Sequence, residues 1–367
     1  MPKQTPEAPL LPAQLQPDYD GTAAEVFAEW NAKTFDEVRD QFAPSQLLEN
    51  GERSIRYAEL LPQDGEADPE QTVMLSLPVG RTWGLDTFVM SAVAHDLIAP
   101  QGRMIVFPNN NKGTRAYTLS KPERKKVAGG DYSPLNDRQL AVMEHLGIDA
   151  ISLVMGHSQG AAVGASFAEK AGQYVQTRAH MFNEAPNTVV GRTGMALRKA
   201  AAREGKELVP AYKAARLAAL EVANLIDRPL RYKWELLRFA IGGNLQQPNI
   251  ALNRSFLQPT FFESVGNMLA QNAAATVLLA NALSSTVSSV ENSAAFTLAS
   301  NAYPGDVRTR HDVYDGFHVT AGNPFVMGLL GRRALQWQEQ AQIAGRDFGT
   351  VGELPAHEAA VTDQQHN

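Results

Sequence analysis

The chain contains no cysteine. This absence excludes disulfides, a thiolate nucleophile and a metal site with cysteine ligands. It also suits a reducing compartment, so we expect a cytoplasmic location. Residues 1–20 lack an apolar core of signal-peptide length, and no apolar run approaches the ~20 residues that a membrane helix requires. We therefore expect no membrane span.

Positive charge is also not in excess, because the formal net charge is −6. A chain without a global basic field is a poor candidate for binding nucleic acid, and a small molecule is the better expectation for a partner. Hydrophobic residues make up 44% and charged residues 20%, which is the composition of a folded globular protein.

Short apolar strand patterns alternate with helical patterns along much of the chain. The strand patterns lie at 54–61, 72–77, 104–107, 150–155, 275–280 and 307–313. The helical patterns lie at 23–42, 87–98, 138–146, 161–171 and 324–344. This alternation predicts an α/β protein whose central sheet is mostly parallel and is covered by helices on both faces.

The composition divides the chain into five parts. Five prolines among the first seventeen residues predict a disordered N-terminal arm over 1–20. The α/β core is expected over 21–187 and again over 273–345, on either side of an almost continuously helical segment, 188–272, interpreted as an inserted cap. A polar C-terminal tail is expected over 346–367.

The predicted cap is unusually basic. Between residues 192 and 238 there are eleven lysines or arginines and five acidic residues. This excess would suit an anionic substrate or partner, but solvated helix faces with ion pairs would give the same composition. Both interpretations stay open.

The most informative stretch is the Gly-x-Ser-x-Gly motif at 156–160, which lies between an apolar strand and a helix of small residues. A serine in such a turn is lifted above the sheet, and bulky residues two positions away would block the turn, which explains Gly156 and Gly160. Ser158 is therefore the candidate nucleophile. The backbone N–H of Gln159, at the start of the following helix, is a candidate donor to a negatively charged intermediate.

At this point the chain resembles the α/β-hydrolase superfamily, over residues 52–340. The loop at 77–84 stands where that family carries its oxyanion loop, so the resemblance implies that the backbone N–H of Arg81 completes the oxyanion hole with that of Gln159. The sequence departs from the family at Pro78, where a histidine is frequent.

The resemblance also implies a catalytic histidine after the last strand. His318 occupies that place, in a loop between a strand pattern and a helical pattern. His311 lies within the strand and is interpreted as structural, and His157 within the motif is interpreted as packing.

The third member of a triad would be a carboxylate that orients the histidine. Most family members place it after the penultimate strand, yet residues 278–285 contain no acid. Some lipase-like members take it from the preceding strand, where this chain has Glu184. Glu184 is therefore the candidate acid, with Glu291 and Asp306 as alternatives.

These residues predict a serine hydrolase that cleaves a carboxylic ester or thioester through an acyl-enzyme and requires no metal or organic cofactor. Acyl transfer to another acceptor would use the same residues. A third hypothesis is an inactive hydrolase scaffold that binds a ligand or partner. Dehalogenase and epoxide hydrolase chemistry would need aspartate in place of Ser158. A homo-oligomer stays open.

Overall fold

The structure is a computed structural model of the chain. It describes residues 11–49, 54–62, 65–78, 83–108, 119–186, 203–204, 251, 254–255, 257–302, 307–318, 320 and 323–347.

Eight strands form one sheet in the order β1-β2-β4-β3-β5-β6-β7-β8. They are β1 Gln46–Leu48, β2 Ile55–Leu60, β3 Thr72–Ser76, β4 Arg103–Phe107, β5 Ala150–His157, β6 Gln176–Asn183, β7 Thr276–Ala282 and β8 Thr309–Tyr314. The pairs β1–β2 and β2–β4 are antiparallel, and every other pair is parallel. The mostly parallel sheet predicted from the sequence is confirmed.

Helices cover both faces of this sheet, as the near-continuous apolar strands require. They are α1 Gly21–Ala32, α2 Phe35–Gln41, α3 Leu85–Ile98, α4 Lys121–Ala128, α5 Ser133–His145, α6 Gln159–Ala171, α7 Thr260–Gln271, α8 Val290–Ser300 and α9 Pro324–Asp347. One face carries α1, α3 and α9, and the other carries α5, α6 and α7. None of the helices in the described part of the chain combines the length and apolarity needed to cross a bilayer.

The N-terminal arm differs from its prediction. Residues 13–18 form a 3-10 helix that contains Pro17 and buries Leu15 completely against the core. Proline fixes φ near −65°, which a 3-10 helix accepts, so the prolines did not exclude regular structure here. Arg333 of α9 donates to the carboxylate of Asp18 and holds this segment against the protein. The prediction of disorder is therefore wrong for residues 11–20, and residues 1–10 lie outside the described residues.

Most of the predicted cap, including nearly all of its basic stretch, lies outside the described residues. Within the predicted range the structure describes α7, whose Phe261 and Val265 pack in the core cluster that contains α6. The ring of Phe261 meets that of Phe182 in β6 edge-on, with 5.7 Å between centroids. The domain division stays a prediction, as does the C-terminal tail, which lies beyond the described residues from 348 onward.

Burial of His180 in β6 makes the stability of the fold depend on pH. Its side chain is fully enclosed, with Nδ1 2.9 Å from the carbonyl oxygen of Thr276, and burial lowers the pKa of His180 from 6.5 to about 4. The folded state thus resists a proton that the unfolded chain accepts below pH 6.5. Stability conferred by the neutral ring is present above pH 6.5 and is lost as the pH falls toward 4.

We expect His180→Asn to make the free energy of unfolding fall less steeply between pH 7 and pH 5 than it does in the wild type. The slopes should differ by up to ~1.4 kcal/mol per pH unit below pH 6.5, since one proton is involved. Urea denaturation at several pH values measures both slopes. Parallel slopes would mean that His180 takes up a proton equally in both states.

Candidate active site

Ser158 occupies a strained turn between β5 and α6. Its φ of 54° and ψ of −128° lie in a region that non-glycine residues seldom enter. A Cβ on Gly156 would collide with the backbone of Gly160, and a Cβ on Gly160 would collide with the carbonyl oxygen of Ser76 in β3. The two glycines therefore let the turn close tightly over the sheet, and the turn places the Ser158 hydroxyl at the carboxyl end of β5.

We expect Gly160→Ala to destabilise the fold by about 3 kcal/mol or more, because the new methyl group overlaps rigid backbone of β3. Gly266→Ala is the matched control, since a Cβ at this position within α7 meets no described atom within 4 Å outside its chain neighbours and the adjacent helix backbone. The control should raise stability by roughly 0.5–1 kcal/mol through helix propensity. Urea denaturation of both variants measures this, and equal stabilities would contradict the close approach at the turn.

His318 lies in the loop after β8 and contacts both other candidate residues. Its Nε2 is 2.9 Å from the Ser158 Oγ, and its Nδ1 is 3.0 Å from Oε2 of Glu184. Because a carboxylate only accepts hydrogen bonds, Nδ1 carries the proton, which leaves Nε2 to accept from the serine hydroxyl. All three side chains are buried. The structure thus brings together the three residues that sequence reasoning selected.

Glu184 directly follows β6 and is held in place by the neighbouring strand. Its φ of 58° is again in the left-handed region, and its N–H donates to the carbonyl oxygen of Ala280 at 2.9 Å. The carboxylate accepts from the backbone N–H of Ala282 through Oε1 and from the Ser288 hydroxyl through Oε2, the latter at 2.9 Å. This carboxylate therefore reaches the end of β7, where the sequence has no acid of its own.

Of the two alternative acids, Glu291 and Asp306, only Glu291 is among the described residues. Glu291 lies in the first turn of α8, is exposed, and accepts from the hydroxyl of Ser289 at 3.0 Å. Asp306 lies outside the described residues.

Of the two expected oxyanion donors, Arg81 also lies outside the described residues, and Gln159 is the first residue of α6. Its buried side chain donates to the Ser255 Oγ at 2.8 Å, which anchors the start of that helix.

Sequence reasoning missed a chain of hydrogen bonds behind Glu184. The His311 Nε2 lies 2.9 Å from Oδ1 of Asn281, whose Nδ2 donates at 2.8 Å to the Ser288 Oγ. The Ser288 hydroxyl is thereby free to donate its own proton to Glu184. Burial lowers the pKa of His311 and so favours the neutral ring, whereas the Asp312 carboxylate has a smaller, opposing effect that raises this pKa. The polar residues at the end of β7 and in the loop after it were a signal for this network, but sequence alone does not show which way their side chains point.

The His157 ring packs against the ring of His318, the candidate general base. The two ring centroids are 4.9 Å apart with the planes tilted by 33°, and the His157 Nδ1 is 3.4 Å from Nδ2 of Asn183. The Asn183 Oδ1 accepts from the Tyr314 hydroxyl at 3.0 Å. His157 thus closes one side of the His318 ring.

The chain is similar to several solved structures at low sequence identity. An enol-lactonase from Burkholderia xenovorans LB400 is 11% identical, and the match covers 80% of this chain and all of that one with a TM-score of 0.51. A 2-hydroxy-6-oxo-6-phenylhexa-2,4-dienoate hydrolase from Rhodococcus sp. strain RHA1 is 12% identical, with a TM-score of 0.47 over 84% of this chain and 100% of that one. No protein-family model and no curated protein matches the sequence.

The sheet order, the strand-turn-helix around Ser158 and the structural match to the enol-lactonase together define the fold. This chain has the α/β-hydrolase fold, and the resemblance drawn from the sequence is confirmed at that level.

Proposed function

We propose that the protein is a serine hydrolase that cleaves carboxylic esters or thioesters through an acyl-enzyme intermediate. The observation that supports this most directly is the continuous contact from Ser158 through His318 to Glu184, at 2.9 and 3.0 Å. A hydroxyl, an imidazole and a carboxylate at these distances form the set of groups that activates a serine for attack on a carbonyl carbon. The strained turn at Ser158 adds to this support, because such strain is concentrated at functional sites.

The proposed reaction has two steps. The Ser158 Oγ bonds to the carbonyl carbon while His318 Nε2 takes its proton, and Glu184 stabilises the imidazolium that forms. Backbone N–H groups at Gln159 and Arg81 would bind the oxyanion. The tetrahedral intermediate collapses, the leaving alcohol or thiol receives the proton from His318, and the acyl group stays on the serine. Water then attacks the acyl-enzyme by the same path in reverse, which releases the acid.

A panel of p-nitrophenyl esters of graded chain length, together with matching thioesters followed by thiol release, tests this proposal. We expect turnover with at least one chain length and a burst of p-nitrophenol where deacylation is slow. Product analysis with and without added alcohols separates hydrolysis from acyl transfer. Absence of turnover across the panel, together with an unmodified Ser158 after treatment with a fluorophosphonate, would favour the inactive binding protein instead.

That third hypothesis arose because no acid follows the penultimate strand. The Glu184 carboxylate at the end of β7, in contact with His318, supplies the group whose absence motivated it. We therefore favour the enzyme. A small-molecule substrate, a cytoplasmic location and an inserted cap remain part of the proposal.

A further inference from the structure

A second buried carboxylate contacts the loop that carries His318. Glu204 has a relative exposure of 4%, and its Oε2 accepts from the backbone N–H of His318 at 2.7 Å. Its Oε1 accepts from both the backbone N–H and the hydroxyl of Thr286, at 2.9 and 2.8 Å. One carboxylate thus joins the loop after β8 to the loop after β7.

The loop after β8 carries His318 itself, and the loop after β7 carries Ser288, which donates to Glu184. Their backbones are also paired through Leu283 N–H to the Tyr314 carbonyl oxygen at 2.8 Å and Ser284 N–H to that of Gly316 at 2.9 Å. Those bonds end two residues before His318. At His318 itself, the backbone N–H donates to Glu204, and this bond fixes the position of that peptide group.

The chemistry of the contact favours a specific positioning role. Burying a carboxylate is costly unless its oxygens are hydrogen-bonded, and hydrogen bonds to an ionised acceptor are about twice as strong as neutral ones. The Glu204 carboxylate accepts hydrogen bonds from three donors in the two loops, and these bonds hold the two loops at a fixed spacing. The ring of His318 must meet Ser158 on one side and Glu184 on the other, and a displacement of about 1 Å at a reacting group can cost ~10²-fold in rate.

We propose that Glu204 is a positioning residue for the general base: it fixes the backbone of His318 so that the imidazole bridges Ser158 and Glu184. This inference rests on the proposed function. Glu204 lies within 188–272, so a residue of the segment predicted as a cap would help to position His318. Nothing in the sequence motif around His318 indicates this dependence.

The test compares the rate constant for fluorophosphonate modification of Ser158 with the fraction of protein finally modified. We expect Glu204→Ala to lower the rate constant at least tenfold while nearly all molecules are still modified in the end. A purely structural role would lower the modified fraction and the melting temperature but leave the rate constant of the folded molecules unchanged. A rate constant within twofold of the wild type would overturn the proposal.

Two further substitutions keep the test decisive if the alanine variant does not fold. Glu204→Gln keeps an oxygen for the His318 N–H but turns its NH₂ group toward the backbone N–H of Thr286, which cannot accept. We therefore expect a lower melting temperature, but because the bond to His318 is kept, a rate constant within about threefold of the wild type. Glu204→Asp is one methylene shorter and cannot span both loops, so we expect at least a fivefold loss. An aspartate variant as fast as the glutamine variant would overturn the positioning role.

Glu123→Gln is the matched control. Glu123 also accepts several hydrogen bonds, from the backbone N–H of Ser120 at 2.7 Å and from Arg138, but it lies at the start of α4. We expect a lower melting temperature and an unchanged rate constant for Ser158. Absence of modification in the wild type would count against the proposed function, whereas a fast wild type with an equally fast Glu204→Ala would count only against this inference.

Discussion

Replacing Ser158 by alanine is expected to lower kcat by at least ~10³-fold on any ester that the wild type hydrolyses. The alanine lacks the oxygen that bonds to the carbonyl carbon, so the acyl-enzyme cannot form. The site would keep His318 and Glu184, and KM should change little, because the hydroxyl contributes mainly to the transition state. Initial rates of p-nitrophenol release measure the effect.

Ser152→Ala is the matched control for this substitution. Ser152 lies earlier in β5 and donates to the carbonyl oxygen of Thr72 at 2.7 Å, away from the turn. It should retain kcat within about twofold. Comparable activity in Ser158→Ala and the wild type would exclude the covalent route.

Replacing Glu184 by glutamine is expected to lower kcat by about 10³–10⁴-fold. The amide oxygen can replace only one carboxylate oxygen, and its NH₂ group is a donor where the site presents donors from Ala282, Ser288 and His318. Presenting that NH₂ to His318 would favour the wrong tautomer and leave Nε2 unable to take the serine proton. Steady-state rates on the best ester, with circular dichroism to confirm folding, measure the effect.

Glu291→Gln is the companion variant, because Glu291 was the other described candidate acid. It is exposed and bonded to Ser289 within its own helix turn, so we expect kcat to remain within about twofold. Loss of activity in Glu291→Gln with retention in Glu184→Gln would reverse the assignment of the acid.

Local sequence patterns predicted six of the eight strands, all but β1 and β6, and the turn at Ser158, because their causes are local. The apolar strand, the glycines and the small-residue helix around Ser158 all follow from the geometry of one turn, which the structure shows. By contrast, the helix expected over 23–42 divides into α1 and α2, because Thr34 caps α2 in a reciprocal capping box with Glu37. The sequence contained that signal, but helical apolar spacing on both sides obscured it.

The surroundings of Glu184 were harder to predict because they depend on contacts between distant segments. Glu184 itself was inferred from its place after a strand, but the contributions of Ser288 and Asn281 follow from how the loop after β7 folds back. Glu204 is 114 residues from His318 in sequence and lies in no recognisable motif. Side-chain direction across separate loops decides such contacts, and hydrophobic periodicity carries no information about it.

Mass spectrometry of the wild-type protein after treatment with a fluorophosphonate tests most directly whether Ser158 is an activated nucleophile. We expect a single adduct per chain, located on Ser158 by peptide fragmentation, and no adduct when His318 is replaced by alanine under the same brief exposure. An intact mass without the adduct, or an adduct on another residue, would contradict the assignment of Ser158 as the nucleophile.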